Sequence, residues 1–251
     1  MRLEGKTAII TGAANGIGAE ISRLYAQEGA KVVLADLALE KAQEVADAIV
    51  KESGSEAIAV KCNVASKEEV QNVVDICVEK FGKVDIIVNN AGIIKRQDAI
   101  EFTEENWDSV IQVNQKMVFF LSQAFAKQLM KQGEGGKIIN VCSMLSYQGG
   151  IRVPSYTASK SAVIGLTRAM ANEWAKYNIN VNGIAPGYMA TNNTAQLRDD
   201  ADRSEAILDR IPAGRWGTPQ DMEGAVIYLA SKASDYVNGF TLAVDGGWLA
   251  R

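Results

Sequence analysis

The chain has 251 residues, 47% hydrophobic and 22% charged, and its 26 basic and 30 acidic side chains leave a net charge of −4. A chain of this size buries roughly three quarters of its unfolded surface, so it needs no disulfide or metal staple. Its acidic balance offers no footprint for nucleic acid or an anionic membrane.

Histidine is absent, which excludes Ser-His-Asp and Cys-His catalysis and histidine-ligated zinc. No metal is expected, and acid–base work at neutral pH falls to Asp, Glu, Lys, Tyr or Cys. The three cysteines, Cys62, Cys77 and Cys142, are scattered without a Cys-x-x-Cys. No signal-peptide core opens the chain, and no apolar run reaches the ~18 residues of a membrane span. These features predict a soluble, reduced, cytoplasmic protein.

Short β-branched runs alternate with amphipathic stretches from end to end. Strands are predicted at 6–11, 31–36, 57–62, 84–89, 137–142, 179–184 and 239–244. Most are apolar throughout, as in a parallel sheet covered on both faces. The expected architecture is therefore an α/β, Rossmann-type doubly wound parallel sheet of about seven strands in three α/β/α layers. No linker or repeat interrupts it, so residues 1–251 are expected to form a single dinucleotide-binding and catalytic domain.

After the first strand comes Thr11-Gly-Ala-Ala-Asn-Gly-Ile-Gly18, leading into a helix at 19–27. Gly12, Gly16 and Gly18, with Asn15 and Ile17 between them, suit a tight turn that lets backbone N–H groups meet a pyrophosphate. Asp36 ends the second strand, 18 residues past Gly18. A carboxylate there accepts both hydroxyls of an adenosine ribose and repels a 2′-phosphate, which favours NAD over NADP. The other reading of Asp36 is an N-cap of the following helix. Ser66-Lys-Glu-Glu69 reads as a capping box for a helix at 68–81.

Asn89-Asn90-Ala91-Gly92 closes the fourth strand with small and amide residues, suited either to backbone beneath a cofactor or to a plain turn. The helix at 107–131 contains Asn114. Ser143 follows the fifth strand, and Tyr156-Thr-Ala-Ser-Lys160 opens a helix at 154–177. The i, i+4 spacing sets phenol and ammonium on one face. A free tyrosine titrates near 10, so a base at neutral pH needs the ammonium and a positive nicotinamide to stabilise its phenolate. Tyr156 would then exchange a proton with a substrate oxygen to which Ser143 donates a hydrogen bond. Tyr147 and Ser146 are rivals, but Tyr147 has no cation four residues on.

The polar segment 188–215 fits neither strand nor plain helix and is expected to be a lid over the site. Thr218-Pro-Gln-Asp221 caps the helix that includes 225–230. The polar lid favours a hydroxylated substrate, and Arg96 and Arg152 are candidate partners for its carboxylate. Gln148 is a further candidate substrate contact.

Over its whole length the chain resembles the short-chain dehydrogenase/reductase family. The resemblance rests on Thr-Gly-x-x-x-Gly-x-Gly at 11–18, Asn-Asn-Ala-Gly at 89–92, Ser143 with Tyr156-x-x-x-Lys160, Pro186-Gly187 with Thr191, and Val244-Asp-Gly-Gly247. It implies NAD(P)-dependent oxidoreduction of CH–OH groups. It implies that Tyr156 is the acid/base, that Ser143 orients the carbonyl, that Lys160 bonds the nicotinamide ribose, and that Asn114 holds a water linking Lys160 to solvent. Asn90, Ala91, Gly92, Ile184, Pro186, Gly187 and Thr191 would line the cofactor. Asn63, with Val64 beside it, stands where the family has an aspartate facing the adenine; its amide oxygen can still accept from the adenine amino group.

From about Gly136 onward the chain is similar, more narrowly, to 2-dehydro-3-deoxy-D-gluconate 5-dehydrogenases. The matching stretches are Gly149-Gly-Ile-Arg-Val-Pro-Ser-Tyr156, Ala185-Pro-Gly-Tyr-Met-Ala-Thr-Asn-Asn-Thr194, Ile211-Pro-Ala-Gly-Arg-Trp216 and Asp245-Gly-Gly-Trp-Leu-Ala-Arg251. That resemblance implies a small sugar-acid substrate and a homotetramer built on the helices at 107–131 and 154–177. Their apolar residues Val118, Phe119, Phe125, Val163, Leu166 and Met170 fit an interface or the core. Arg251 would reach a neighbouring subunit's site. The alternatives are a gluconate 5-dehydrogenase, a 3-oxoacyl-carrier-protein reductase and a non-catalytic nucleotide-sensing module.

Overall fold

The computed structural model describes residues 1–251. In chain order the first half runs β1 (Thr7–Thr11), α1 (Gly16–Gln27), β2 (Lys31–Asp36), α2 (Leu39–Ser53), β3 (Ala57–Lys61), α3 (Lys67–Phe81), β4 (Ile86–Asn89), α4 (Glu104–Ile111) and α5 (Met117–Gln132). The second half runs β5 (Gly136–Val141), α6 (Pro154–Trp174), β6 (Ile179–Pro186), α7 (Ala195–Asp199), α8 (Ala201–Leu208), α9 (Glu223–Ala230) and β7 (Thr241–Val244).

The seven strands form one sheet in the order β3-β2-β1-β4-β5-β6-β7, and every neighbouring pair is parallel. The order reverses between β1 and β4, which opens a crevice at their C-terminal ends where such sheets bind ligands. Alternate strand residues feed two apolar layers. Ala8 and Ile10 pack with α1, α2 and α9 on one side, while Ile9 packs with α3 and α5 on the other.

Three strands, β1, β4 and β7, start later than the apolar runs predict. Lys6 and the residues before Ile86 belong to a polar pin at the sheet's N-terminal edge. There the buried Asp85 accepts the Thr7 N–H and ion-pairs with Lys6 and Lys83. Ser66 caps α3 by accepting the Glu69 N–H, but the Glu69 carboxylate accepts the Asn63 N–H instead of closing the box. Thr218 and Asp221 do form a reciprocal cap, over a single 3₁₀ turn that leads into α9.

Two other expectations are corrected. The helix expected at 107–131 is broken at Gln112–Lys116 into a π turn with Asn114 inside it. Such bulges cluster at functional sites. The segment 188–215 is largely helical: a 3₁₀ turn at Asn192–Thr194, then α7 and α8. Its polar composition hid a sparse apolar stripe. Ile207 and Ile211 pack with Met144 and Trp248, so the segment is seated on the last turn of the chain. No helix is long and apolar enough to cross a membrane.

Candidate active site

A cavity of about 440 Å³ opens beyond the C-terminal ends of β4, β5 and β6, walled on its far side by Leu197, Asp200 and Arg203 of the 188–215 segment. Ser143, Tyr156 and Lys160 line it together. Each is positioned by local chain geometry. Ser143 caps a 3₁₀ turn after β5, its hydroxyl accepting the Leu145 N–H. Val153 and Pro154 start α6 just before the tyrosine. The rivals are engaged elsewhere: the Ser146 hydroxyl donates to the Lys160 carbonyl, and the Tyr147 hydroxyl donates to the Thr241 carbonyl.

Lys160 is 4% exposed. Its Nζ donates to the Val141 carbonyl at 2.5 Å and lies 5.7 Å from the centre of the Tyr156 ring. Burial pushes the ammonium's pKa down to about 8. Burial is also the largest influence on Tyr156, raising its pKa above the usual value, while the Ser143 hydroxyl and more weakly Arg96 pull it down. Within the protein by itself, desolvation wins over the neighbouring charge, so the phenolate needs the positive nicotinamide besides Lys160.

Asn114 is fully buried under this group. Its Oδ1 accepts the Ile93 N–H and its Nδ2 donates to the Ile93 carbonyl, both at 2.8 Å. The Asn114 amide is thus engaged in clamping Ile93, beside Gly92. A Cβ on Gly92 would stand 3.3 Å from Asn114 Oδ1 and 3.7 Å from Lys160 Nζ.

The cavity continues past Ile17, Asn90, Gly92, Pro186, Gly187 and Thr191 toward the glycine-rich turn. No side chain caps the N-terminus of α1, where Asn15 is exposed, so its N–H groups are left for an anion. Gly12 has φ +65°, and a Cβ there would meet Ala91 Cα at 2.9 Å; one on Gly18 would meet the Gly12 carbonyl at 2.2 Å. Asn90 braces the turn by donating from Nδ2 to the Thr11 and Gly12 carbonyls, while the Thr11 hydroxyl accepts the Asn90 and Ala91 N–H groups. Thr191 faces Gly16 from the opposite wall.

At the outer end of the groove, Asp36 Oδ2 accepts the Ala14 N–H and Oδ1 accepts the Ala38 N–H. Asp36 therefore joins turn and strand and still presents acceptor lone pairs. Asn63 Oδ1 already accepts the Ala65 N–H, so one lone pair remains for an adenine; Val64 packs into the α3–α5 layer. A groove with no space for a Cβ, a free helix N-terminus and a carboxylate at the ribose end together fit a dinucleotide.

The substrate candidates divide. Arg96 lines the cavity and donates to the Asn193 carbonyl at 2.9 Å. Arg152 lines the rim but is exposed and paired with Asp98 at 2.8 Å. Gln148 lies outside the cavity wall, its Oε1 accepting from Arg210. Arg251 is exposed and likewise outside that wall. Sequence reasoning missed Tyr188 and Arg203, although Arg203 sits one turn before Ile207 on a face that only the helical reading of 188–215 would have revealed. It also missed a buried amide network in which Asn89 Nδ2 donates to Ser122 and Asn140, and Asn140 donates to Thr167. That network ties α5 and α6 to the strand ends bearing the site.

Residues 12–249 match a family profile described as enoyl-(acyl carrier protein) reductase. A 2-dehydro-3-deoxy-D-gluconate 5-dehydrogenase from Dickeya dadantii is 59% identical over 250 residues, covering 99% of this chain and 97% of that protein. The chain belongs to the short-chain dehydrogenase/reductase family. Like other short-chain dehydrogenase/reductases it is an NAD(P)-dependent oxidoreductase acting on CH–OH groups. Among solved members, a putative 2-deoxy-D-gluconate 3-dehydrogenase from Agrobacterium tumefaciens with bound NADP is 51% identical, with TM-score 0.92, covering 99% of this chain and 98% of that one. A gluconate 5-dehydrogenase from Burkholderia cenocepacia, in complex with NADP and tartrate, is 42% identical with TM-score 0.95, covering 100% and 97%.

Proposed function

We propose that the protein interconverts a ketone and a secondary alcohol on a sugar acid, as a 2-dehydro-3-deoxy-D-gluconate 5-dehydrogenase of pectin and uronate breakdown. The observation that carries this reading is the convergence of Ser143, Tyr156 and Lys160 on one cavity that runs into the glycine-rich groove. The similarity to the Dickeya enzyme supports the substrate class. The bound dinucleotide supplies a nicotinamide ring that accepts or gives the hydride.

The chain's own residues do the rest. The Tyr156 hydroxyl gives a proton to the substrate oxygen in reduction and takes it back in oxidation. Ser143 donates a hydrogen bond to that oxygen and holds it at the phenol. Lys160, anchored on the Val141 carbonyl, favours the phenolate and would bond the nicotinamide ribose of a bound dinucleotide. Asn114 keeps Ile93 and Gly92 against Lys160, leaving its backbone rather than its amide to meet a relay water.

Asp36, with no Arg or Lys in the turn from Thr11 to Gly18, supports NAD as the preferred dinucleotide, although the two solved relatives carry NADP. The acidic cover residues Asp199, Asp200 and Asp202 disfavour docking of an acidic carrier protein, so the carrier-protein reductase reading is the weaker one. Three unpaired, buried cysteines support a reducing, cytoplasmic setting. A homotetramer is supported by an apolar groove between α5 and α6 lined by Phe119, Met130, Leu166 and Trp174. Val118, Phe125, Val163 and Met170, expected as interface or core, are core.

The test is a cofactor-coupled absorbance screen of keto and hydroxy sugar acids with each dinucleotide. Tyr156→Phe is expected to lower kcat by about 10²–10⁴ with little change in cofactor affinity; retained turnover overturns the assignment. Asp36→Ala is expected to narrow the preference for NAD, and an unchanged preference would place discrimination elsewhere.

A further inference from the structure

We propose that Arg203 on α8 and Arg96 after β4 together bind the substrate's carboxylate, with the Tyr188 hydroxyl completing the site; the proposal rests on the sugar-acid reading above. Three guanidinium groups line the cavity, from Arg96, Arg152 and Arg203. Arg152 is exposed and neutralised by Asp98. Arg96 and Arg203 are half-buried, and neither takes part in an ion pair. Partial desolvation of an uncompensated charge is costly. A carboxylate reverses that cost through paired N–H···O bonds that no neutral ligand equals.

The wall contains one acid, Asp200, and its Oδ1 is turned onto the backbone, accepting the Arg203 N–H at 3.0 Å as the cap of α8. Its second oxygen is free for a substrate hydroxyl. Tyr188 is rigidly seated, edge-on to Trp216 at 5.4 Å and to Trp248 at 4.9 Å. Tyr188 lines the same cavity as both arginines, with Arg203 entering from α8. Arg203 thus faces the cavity from the cover, while Ser143, Tyr156 and Lys160 face it from the strand ends. Because α8 is part of the cover, the acid end of the substrate also helps hold the cover in place.

The experiment compares kcat/KM for 5-ketogluconate and for the neutral ketose fructose in the full chain, its Arg203→Gln variant and its Arg203→Lys variant. The acid-to-neutral ratio is expected to fall at least about tenfold in the glutamine variant and to recover in part with lysine. An equal fall for both substrates means a structural role and overturns the proposal. Titration of the protein with NAD⁺ and gluconate, followed by tryptophan fluorescence, is expected to show Kd at least about tenfold higher in Arg203→Gln; an unchanged Kd overturns the proposal. Turnover of 5-keto acids with an unaltered ratio would sink the arginine pair alone. A protein that neither binds gluconate nor turns over any sugar acid sinks the substrate reading and the pair with it.

Discussion

Lys160 is the residue on which burial and charge conflict most directly. In the folded chain its pKa is about 8, against 10.5 for the free side chain. Between those values the unfolded chain holds a proton that the folded chain has released, so stability rises with pH there, and the penalty is present in full below about pH 8. The difference is worth about 3 kcal/mol. A Lys160→Met variant lacks this slope. Urea midpoints of the two proteins across the interval are expected to converge or cross as pH rises; parallel profiles would show that the ammonium is better solvated than its burial implies. The same desolvation keeps Tyr156 protonated in the free protein, which suits the reductive direction, where the phenol must give a proton. Its ionisation in the oxidative direction then draws on the positive nicotinamide as well as on Lys160.

At the scale of elements, the glycine-rich turn tolerates no side chain at Gly18. A Cβ there would stand 2.5 Å from the Asn90 Nδ2 that braces the turn, besides its clash with the Gly12 carbonyl. Gly18→Ala is expected to cost about 1–3 kcal/mol of stability and to weaken dinucleotide binding by more than that loss alone explains. Chemical denaturation and cofactor titration read the two separately, and normal affinity would mean that the brace shifts without consequence. This turn was legible in the sequence because glycine spacing and a strand-end carboxylate are local signals. So was the pairing of Tyr156 with Lys160, which lies within one helical turn. The π turn around Asn114 was not, because its residues have ordinary helix propensities and only packing against Ile93 explains the break. The cover was misread because α7 and α8 are held by contacts to Met144 and Trp248, distant in sequence, while their own surfaces are polar. For the same reason Arg203 could not be seen to share a cavity with Arg96.

For the whole molecule, the helices covering the sheet leave an apolar groove at the surface. Phe119, Met130, Leu166 and Trp174 line it between α5 and α6. If this groove is where subunits meet, Leu166→Arg is expected to shift the sedimentation coefficient from that of a tetramer to that of a smaller species. An unchanged coefficient would move the interface elsewhere. The parallel topology has a further consequence for how the site comes into being. Thr11 and Asn90 are 79 positions apart, yet the groove for the dinucleotide exists only once β4 has docked beside β1. Long-range closures of this kind are the slow events of folding, so during refolding the ability to capture a nucleotide should emerge last, well after helix content has returned.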